Sequence, residues 1–241
     1  PFIPLFQSPK SFYRLAVASF FFLKLVFASW ASRIPDIKQA LALNEAQLGG
    51  VLFAIPVGQM SAMALSGYLV SRFGSHRMLL LAACSYGDLM ALGFISETWH
   101  LLAMLVFFGV AANLHNISVN TQAVGVDASP PQHHGRLPRL WSLAGFVGGI
   151  VGALFAAFSV STRVHFSFIF AVCMGIVAIM FRLTLPRDRH AIRARTQTPQ
   201  GENRSLCRPA RLIAFGCMAS EGTMYDWSAV YYEAIINRRR N

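Results

Sequence analysis

The sequence predicts an all-α, polytopic membrane helical bundle. Three observations predict it. Of 241 residues, 55% are hydrophobic and only 13% are charged. The apolar residues gather in long runs, and most basic residues fall between those runs. A soluble domain carries charge on about 25% of its residues, so half that share selects lipid as the main solvent. A net charge of +11 taken alone would suit a nucleic-acid binder. Short Arg clusters between apolar runs are instead what the positive-inside rule produces. The expected partner is therefore the lipid bilayer, with no nucleic acid.

A helix needs roughly 20 mostly apolar residues to cross ~30 Å of hydrocarbon. The stretches that qualify run about Phe12–Ser32, Ala46–Val70, Met78–Ser96, Leu101–Val126, Leu140–Val160 and Val164–Leu185, with a weaker one at Ala210–Tyr232. The first is too long for a signal-peptide core and lacks a small-residue cleavage site, so it reads as a span. The fifth carries Gly145, Gly148, Gly149 and Gly152, small residues at four-residue spacing that let membrane helices approach closely. This is a packing signal and not a phosphate loop. Cys84, Cys173, Cys207 and Cys217 show no CxxC spacing and read as small packing residues. No disulfide, metal or cofactor is expected. His133-His134, in a Pro-rich loop without a ligating acid or Cys, reads as a solvated pair.

Loop charge predicts orientation. The N-terminal segment and the even-numbered loops hold Lys10, Arg14, Arg72, Arg77, Arg136, Arg139 and an Arg-rich stretch from Arg182 to Arg211. In the alternate loops Arg33, Lys38 and Arg163 are nearly balanced by Asp36, Glu45 and Glu97. The contrast places the N-terminus in the cytoplasm. The organisation expected is a six-helix bundle over 1–185, a basic cytoplasmic linker over 186–209, a seventh span over 210–232 and a basic tail over 233–241. Trp30 and Arg33, ending the first span, read as interface anchors. The missing initiator Met, and three arginines in a tail that alternation would put outside, suggest a truncated product.

The segment Gly67-Tyr-Leu69-Val-Ser71-Arg72-Phe-Gly74-Ser-His76-Arg77 resembles the loop signature of the major facilitator superfamily, G-x-L-a-D-R-x-G-R-R. Gly67, Leu69, Arg72 and Gly74 match and Arg77 keeps one base, whereas Ser71 stands where the family has Asp. The resemblance implies a cytoplasmic gating loop at Gly67, Arg72, Gly74 and Arg77, without the acidic half of its charge latch. Ala28-Ser-Trp30-Ala-Ser-Arg33-Ile-Pro35, Leu140-Trp141-Ser142-Leu-Ala-Gly145 and Glu221-Gly222-Thr-Met-Tyr-Asp226-Trp227-Ser228 are similar to the YbjJ-type inner-membrane branch, related to fucose permease. The family fold has twelve spans in two six-span bundles. That implies a missing C-terminal bundle as the partner of this chain.

Ionisable groups within hydrocarbon cost about 2.5–3.5 kcal/mol and so face a cavity or a partner. Lys24, Asp88 and Glu221 each fall ten or eleven residues beyond a cytoplasmic Arg, about 15 Å deep at ~1.5 Å per residue. Asp226 lies further out. In the family the first and seventh spans both line the central cavity, which implies a Lys24–Glu221 or Lys24–Asp226 pair across the bundles. The alternative is that Lys24 snorkels and the acids are satisfied locally. Trp227 joins the candidates through the seventh-span motif. Gly109, Asn113, Asn116 and Asn120 share one helical face, suited to a sugar-like solute or to polar contacts between helices. There is no HExxH, G-x-S-x-G or paired-carboxylate helix, so no enzyme is expected. Two readings follow: a secondary transporter moving a small-molecule solute, coupled to protons, or a non-transporting membrane fragment that acts as an assembly partner.

Overall fold

The computed structural model describes residues 9–126 and 136–184, together with scattered helical positions between 213 and 235. Every regular element among them is helical. The helices are α1 (Pro9–Phe22), α2 (Leu25–Ser32), α3 (Ile34–Ala40), α4 (Glu45–Leu52), α5 (Ala54–Phe73), α6 (Ser75–Ser85), α7 (Gly87–Leu92), α8 (Thr98–Val126), α9 (Arg136–Ala157) and α10 (Thr162–Met180), the last running into a 310 turn at Phe181–Leu183.

The first six expected spans all fall on these helices. Four helical stretches, Leu15–Ala40, Glu45–Phe73, Thr98–Ala123 and Thr162–Leu183, are long and apolar enough to cross a membrane, and Ser142–Ala157 is a shorter apolar helix. The third expected span is not among those four. It is divided at Tyr86 into α6 and α7, of 11 and 6 residues.

The first and third spans are broken by 310-type turns. Around Lys24, the amides of Leu23, Val26 and Phe27 reach the carbonyls of Phe20, Leu23 and Lys24 at 3.2, 3.1 and 3.0 Å. Around Tyr86, its amide reaches Ala83 at 3.2 Å and Leu89 reaches Tyr86 at 3.0 Å. Three-residue turns inside an α-helix mark hinges or strain. Other joints follow local chemistry. Asn44 and Gln47 form a reciprocal capping box at the start of α4, which satisfies two otherwise orphaned donors. Gly74, at φ 87°, separates α5 from α6 in a conformation that Gly adopts without steric cost.

The core is built from Phe20, Leu23 and Trp30 of the first span, Leu89 of the third, Leu105 and Phe108 of the fourth, and Phe166 and Ile169 of the sixth. Large apolar side chains point outward from α5 (Met60, Met63) and α9 (Phe146, Leu154), which costs nothing against lipid. Two seams are backbone-close. A Cβ on Gly58 would run into the Val106 carbonyl, and one on Gly109 into Ile55 and Gln59, so α5 and α8 cross through paired glycines. A Cβ on Gly148 would lie 2.6 Å from that of Ala28, and one on Gly152 would strike Ser32. The expected packing role of the fifth-span glycines therefore holds for Gly148 and Gly152, which meet α2. Gly149 has open space where a Cβ would stand.

Candidate functional site

Lys24 stands at the break between α1 and α2 and is half-buried. Facing this break is His115 of α8, fully buried, with Nε2 3.0 Å from the Phe20 carbonyl oxygen. A carbonyl only accepts, so Nε2 carries the proton and Nδ1 is bare. Lys24 is near enough to act on His115 electrostatically, and the Tyr86 ring lies 5.3 Å from the imidazole. The breaks of the first and third spans thus meet the fourth span at one histidine.

Asp88 is in the first turn of α7 and half-buried. Its Oδ2, Oδ1 of Asn113, Nδ1 of His115 and Oγ of Ser118 are all buried without a hydrogen-bond partner among the described residues. Buried polar atoms are nearly always bonded, so these atoms on α7 and α8, like Oγ of Ser29 on α2, can each take a further partner. Asn116 and Asn120 behave differently. Asn120 is exposed, and its amide donates to the Asn116 carbonyl at 2.8 Å and to Asn116 Oδ1 at 3.2 Å. Gly109, on the same face, is consumed by the contact with α5. Glu221 and Asp226 lie outside the described residues. Trp227 is half-buried, its Cζ2 3.7 Å from where a Cβ of Gly49 would stand. Ser228 closes a cleft of about 320 Å³ whose other walls include Ala28 and Ser32 of α2 and Gly145, Gly149 and Ala153 of α9. Among the described residues no three His, Cys, Asp or Glu side chains gather as a metal site.

The loop resembling the family signature is held mostly by its own helices. Arg72 is exposed, bonded to the Tyr68 hydroxyl, with its guanidinium 5.8 Å from the Tyr68 ring and 5.7 Å from that of Phe73. Ser71 Oγ donates to the Tyr68 carbonyl at 2.8 Å. Gly74 is demanded by its positive φ, whereas a Cβ at Gly67 would meet nothing. Arg77 is exposed on α6. The residues replacing the family's paired bases point into the bundle: Ser75 Oγ accepts from Gln122 Nε2 at 2.7 Å, and His76 Nδ1 lies 2.5 Å from Thr184 Oγ1 with its ring stacked on Phe181.

Trp30 and Arg33, expected at the interface, are instead buried at 1% and 3% exposure. Arg33 spends its guanidinium on three acceptors: Nε donates to His165 Nδ1 at 3.0 Å, Nη1 to Asp36 Oδ2 at 2.5 Å and Nη2 to the Val160 carbonyl at 3.0 Å. The planar fork is suited to such a set. Sequence reading missed this group because His165 is 132 residues away. The signal that could have found it was an isolated His in the apolar run that follows Arg163. Beside it, a second cleft of about 360 Å³ is lined by Asp36, Leu41, Gly93, Ser161 and Arg163.

Comparison with known proteins adds an independent line. The family model described as Major Facilitator Superfamily matches residues 15–236. An MFS-type transporter of Yersinia pestis is 31% identical over 221 residues, covering 88% of this chain and 55% of its own length. Membrane protein MosC of Rhizobium meliloti is 28% identical over 90% of this chain and 53% of its own. Transporter y4wD of Sinorhizobium fredii (strain NBRC 101917 / NGR234) is 27% identical over 93% of this chain and 60% of its own. The chain therefore spans a little over half the length of these relatives.

Proposed function

Because the chain belongs to the Major Facilitator Superfamily, a family of membrane transporters and not of enzymes, we propose that it forms the first bundle and one further span of a proton-coupled transporter for a small, hydroxylated solute. The protein is a multi-pass membrane protein. In this reading its basic loops lie in the cytoplasm of the inner membrane, and its branch is the YbjJ-type one. A second bundle completes the machine, and alternating access moves the solute.

One observation carries the proposal. Lys24 sits at a mid-span helix break, and α7 and α8 hold unpartnered buried polar atoms on Asp88 and Asn113. Discontinuous helices that meet polar groups near the midplane are how many secondary transporters build binding and coupling sites. The Asn113 amide oxygen accepts a solute hydroxyl. Lys24 pairs with Glu221 or Asp226 across the two bundles, and a proton or a solute makes and breaks that pair.

The test is proton flux in proteoliposomes that contain a pH-sensitive dye, with a panel of monosaccharides and polyols added outside. The expected result is internal acidification with at least one solute, lost in Lys24→Met and in Asp88→Asn. Solute entry without any proton signal would overturn the coupling. Transport by a relative of full family length that survives both substitutions at the aligned positions would overturn the roles of Lys24 and Asp88, and transport by the 241-residue chain itself would exclude the other reading, a non-transporting fragment or assembly partner.

A further inference from the structure

We infer that His115 is the positioning residue for Lys24, acting through the backbone of the first span. The inference rests on the reading of Lys24 as a coupling group and adds the element that holds it in place.

In an unbroken α-helix the Phe20 carbonyl would accept from the amide four residues on, that of Lys24. Here it accepts from Leu23 at 3.2 Å and from His115 Nε2 at 3.0 Å. A side chain inserted into the hydrogen-bond ladder is an identifiable cause of a helix break. His115 supplies the insertion from another span, 95 residues away in sequence. The turn it stabilises is the one on which Lys24 stands, as the residue preceding α2.

Several features make this more than incidental packing. His115 is fully buried, so its one bonded nitrogen is desolvated, and losing that bond would leave the Phe20 carbonyl with only its 310 partner. The imidazole is a donor to a carbonyl, which fixes the tautomer with a bare Nδ1. The Tyr86 ring of the third span lies 5.3 Å from it, and Lys24 of the first span is near enough to act on it electrostatically. Tyr86 is itself the break between α6 and α7. One neutral imidazole therefore sits where two discontinuous spans meet the fourth. The two halves of the first span are also anchored separately: the far end of α2 is fastened through Arg33 to α10, and α1 is fastened through Phe20 to α8. The turn at Lys24 is the hinge between these anchors.

The chemistry defines a discriminating variant. The amide of Gln reaches the position of Nε2 and donates to a carbonyl, so His115→Gln keeps the bond, and His115→Leu fills the space without it. The chain has three lysines, Lys10, Lys24 and Lys38. Reductive methylation with formaldehyde of the 241-residue chain in nanodiscs, resolved by peptide mass spectrometry, reads the accessibility of Lys24 with Lys38 as internal reference. Lys24 in His115→Gln is expected to label at the wild-type rate, and in His115→Leu to change by about tenfold, the scale of one buried hydrogen bond. Unchanged labelling in the Leu variant, or an equal change in the Gln variant, overturns the inference. Should the Leu variant fail to fold, 15N spectra of histidine-labelled wild type decide. The His115 signal, assigned by its loss in His115→Gln, is expected to show Nε2 protonated and Nδ1 bare at neutral pH, and a protonated Nδ1 overturns the inference. Neither readout uses a solute. A failed flux assay with these results intact would sink the coupling role of Lys24 and leave the positioning role of His115 standing.

Discussion

At one end of the bundle, Arg33 ties its own turn, α10 and the segment before α10 together through a single guanidinium that is 3% exposed. At the opposite end, where the loop resembling the family signature lies, two neutral pairs do the equivalent work: Ser75 with Gln122, and His76 with Thr184 and Phe181. The first arrangement shares one donor group among three acceptors. The second divides the same task between independent bonds. A shared cation fails as a unit, because its removal strands every acceptor at once, whereas separate neutral pairs fail one at a time. Loss of Arg33 is therefore expected to cost more than loss of either contact at the loop end.

The sharpest way to break this comparison is to remove the cation. Arg33→Leu leaves His165, which already has a buried, unpartnered Nε2, with neither nitrogen bonded, and leaves the Val160 carbonyl without its donor. Each buried neutral acceptor that is stranded costs about 1–3 kcal/mol, and two are stranded at once, whereas Asp36, with its side chain 44% exposed, is rehydrated. The expected outcome is a large drop in the midpoint of thermal unfolding in detergent. Arg33→Lys is expected to restore little, since an ammonium cannot reproduce the fork. Full restoration by Lys would show that charge alone holds this end.

A smaller effect is expected at the loop end. Gln122→Leu removes one hydrogen bond from the buried Ser75 hydroxyl, at about 0.5–1.5 kcal/mol. The double variant Ser75→Ala with Gln122→Leu removes both polar groups and is expected to recover most of that loss. The recovery, read as the coupling in a double-mutant cycle of unfolding midpoints, separates a self-contained pair from a wider network. No recovery would mean that Gln122 serves further partners and that this end too fails as a unit.

The helical fold was legible because hydropathy and loop charge are summed over about twenty residues, and no single position decides them. The fifth-span glycines were legible as packing residues for the same reason, yet spacing could not tell Gly148 and Gly152, which touch α2, from Gly149, which faces the cleft. Helix breaks were not legible. Leu23 and Lys24 look like the middle of an apolar run, and the side chain that bonds the Phe20 carbonyl at the break, His115, comes from another span. Arg33 was misplaced for a related reason: an Arg beside a Trp at the end of an apolar run matches an interface anchor, and only its distant partner shows that it is buried. Of the candidate site, the positions of Lys24, Asp88 and Asn113 in the interior are on view, Asn116 and Asn120 bond to each other, and Glu221 and Asp226 lie outside the described residues.

The smallest expected effect tests whether the neutral end is indifferent to histidine protonation. The hydroxyl of Thr184 has one proton, and it goes to the Phe181 carbonyl at 2.7 Å. Thr184 Oγ1 can then only accept from His76, so Nδ1 of His76 is the donor. That nitrogen carries its proton in both the imidazolium and this neutral tautomer, so the bond survives titration. Asn at position 76 places an amide donor where Nδ1 stands and loses the stacking on Phe181, 4.2 Å between ring centroids. His76→Asn is therefore expected to cost about 0.5–1.5 kcal/mol, the worth of one aromatic contact. The loss should be the same at pH 6 and pH 8 when unfolding midpoints of variant and wild type are compared. A loss that appears at only one of the two pH values would show that His76 acts through its charge, and the contrast between a charged end and a neutral end would no longer hold.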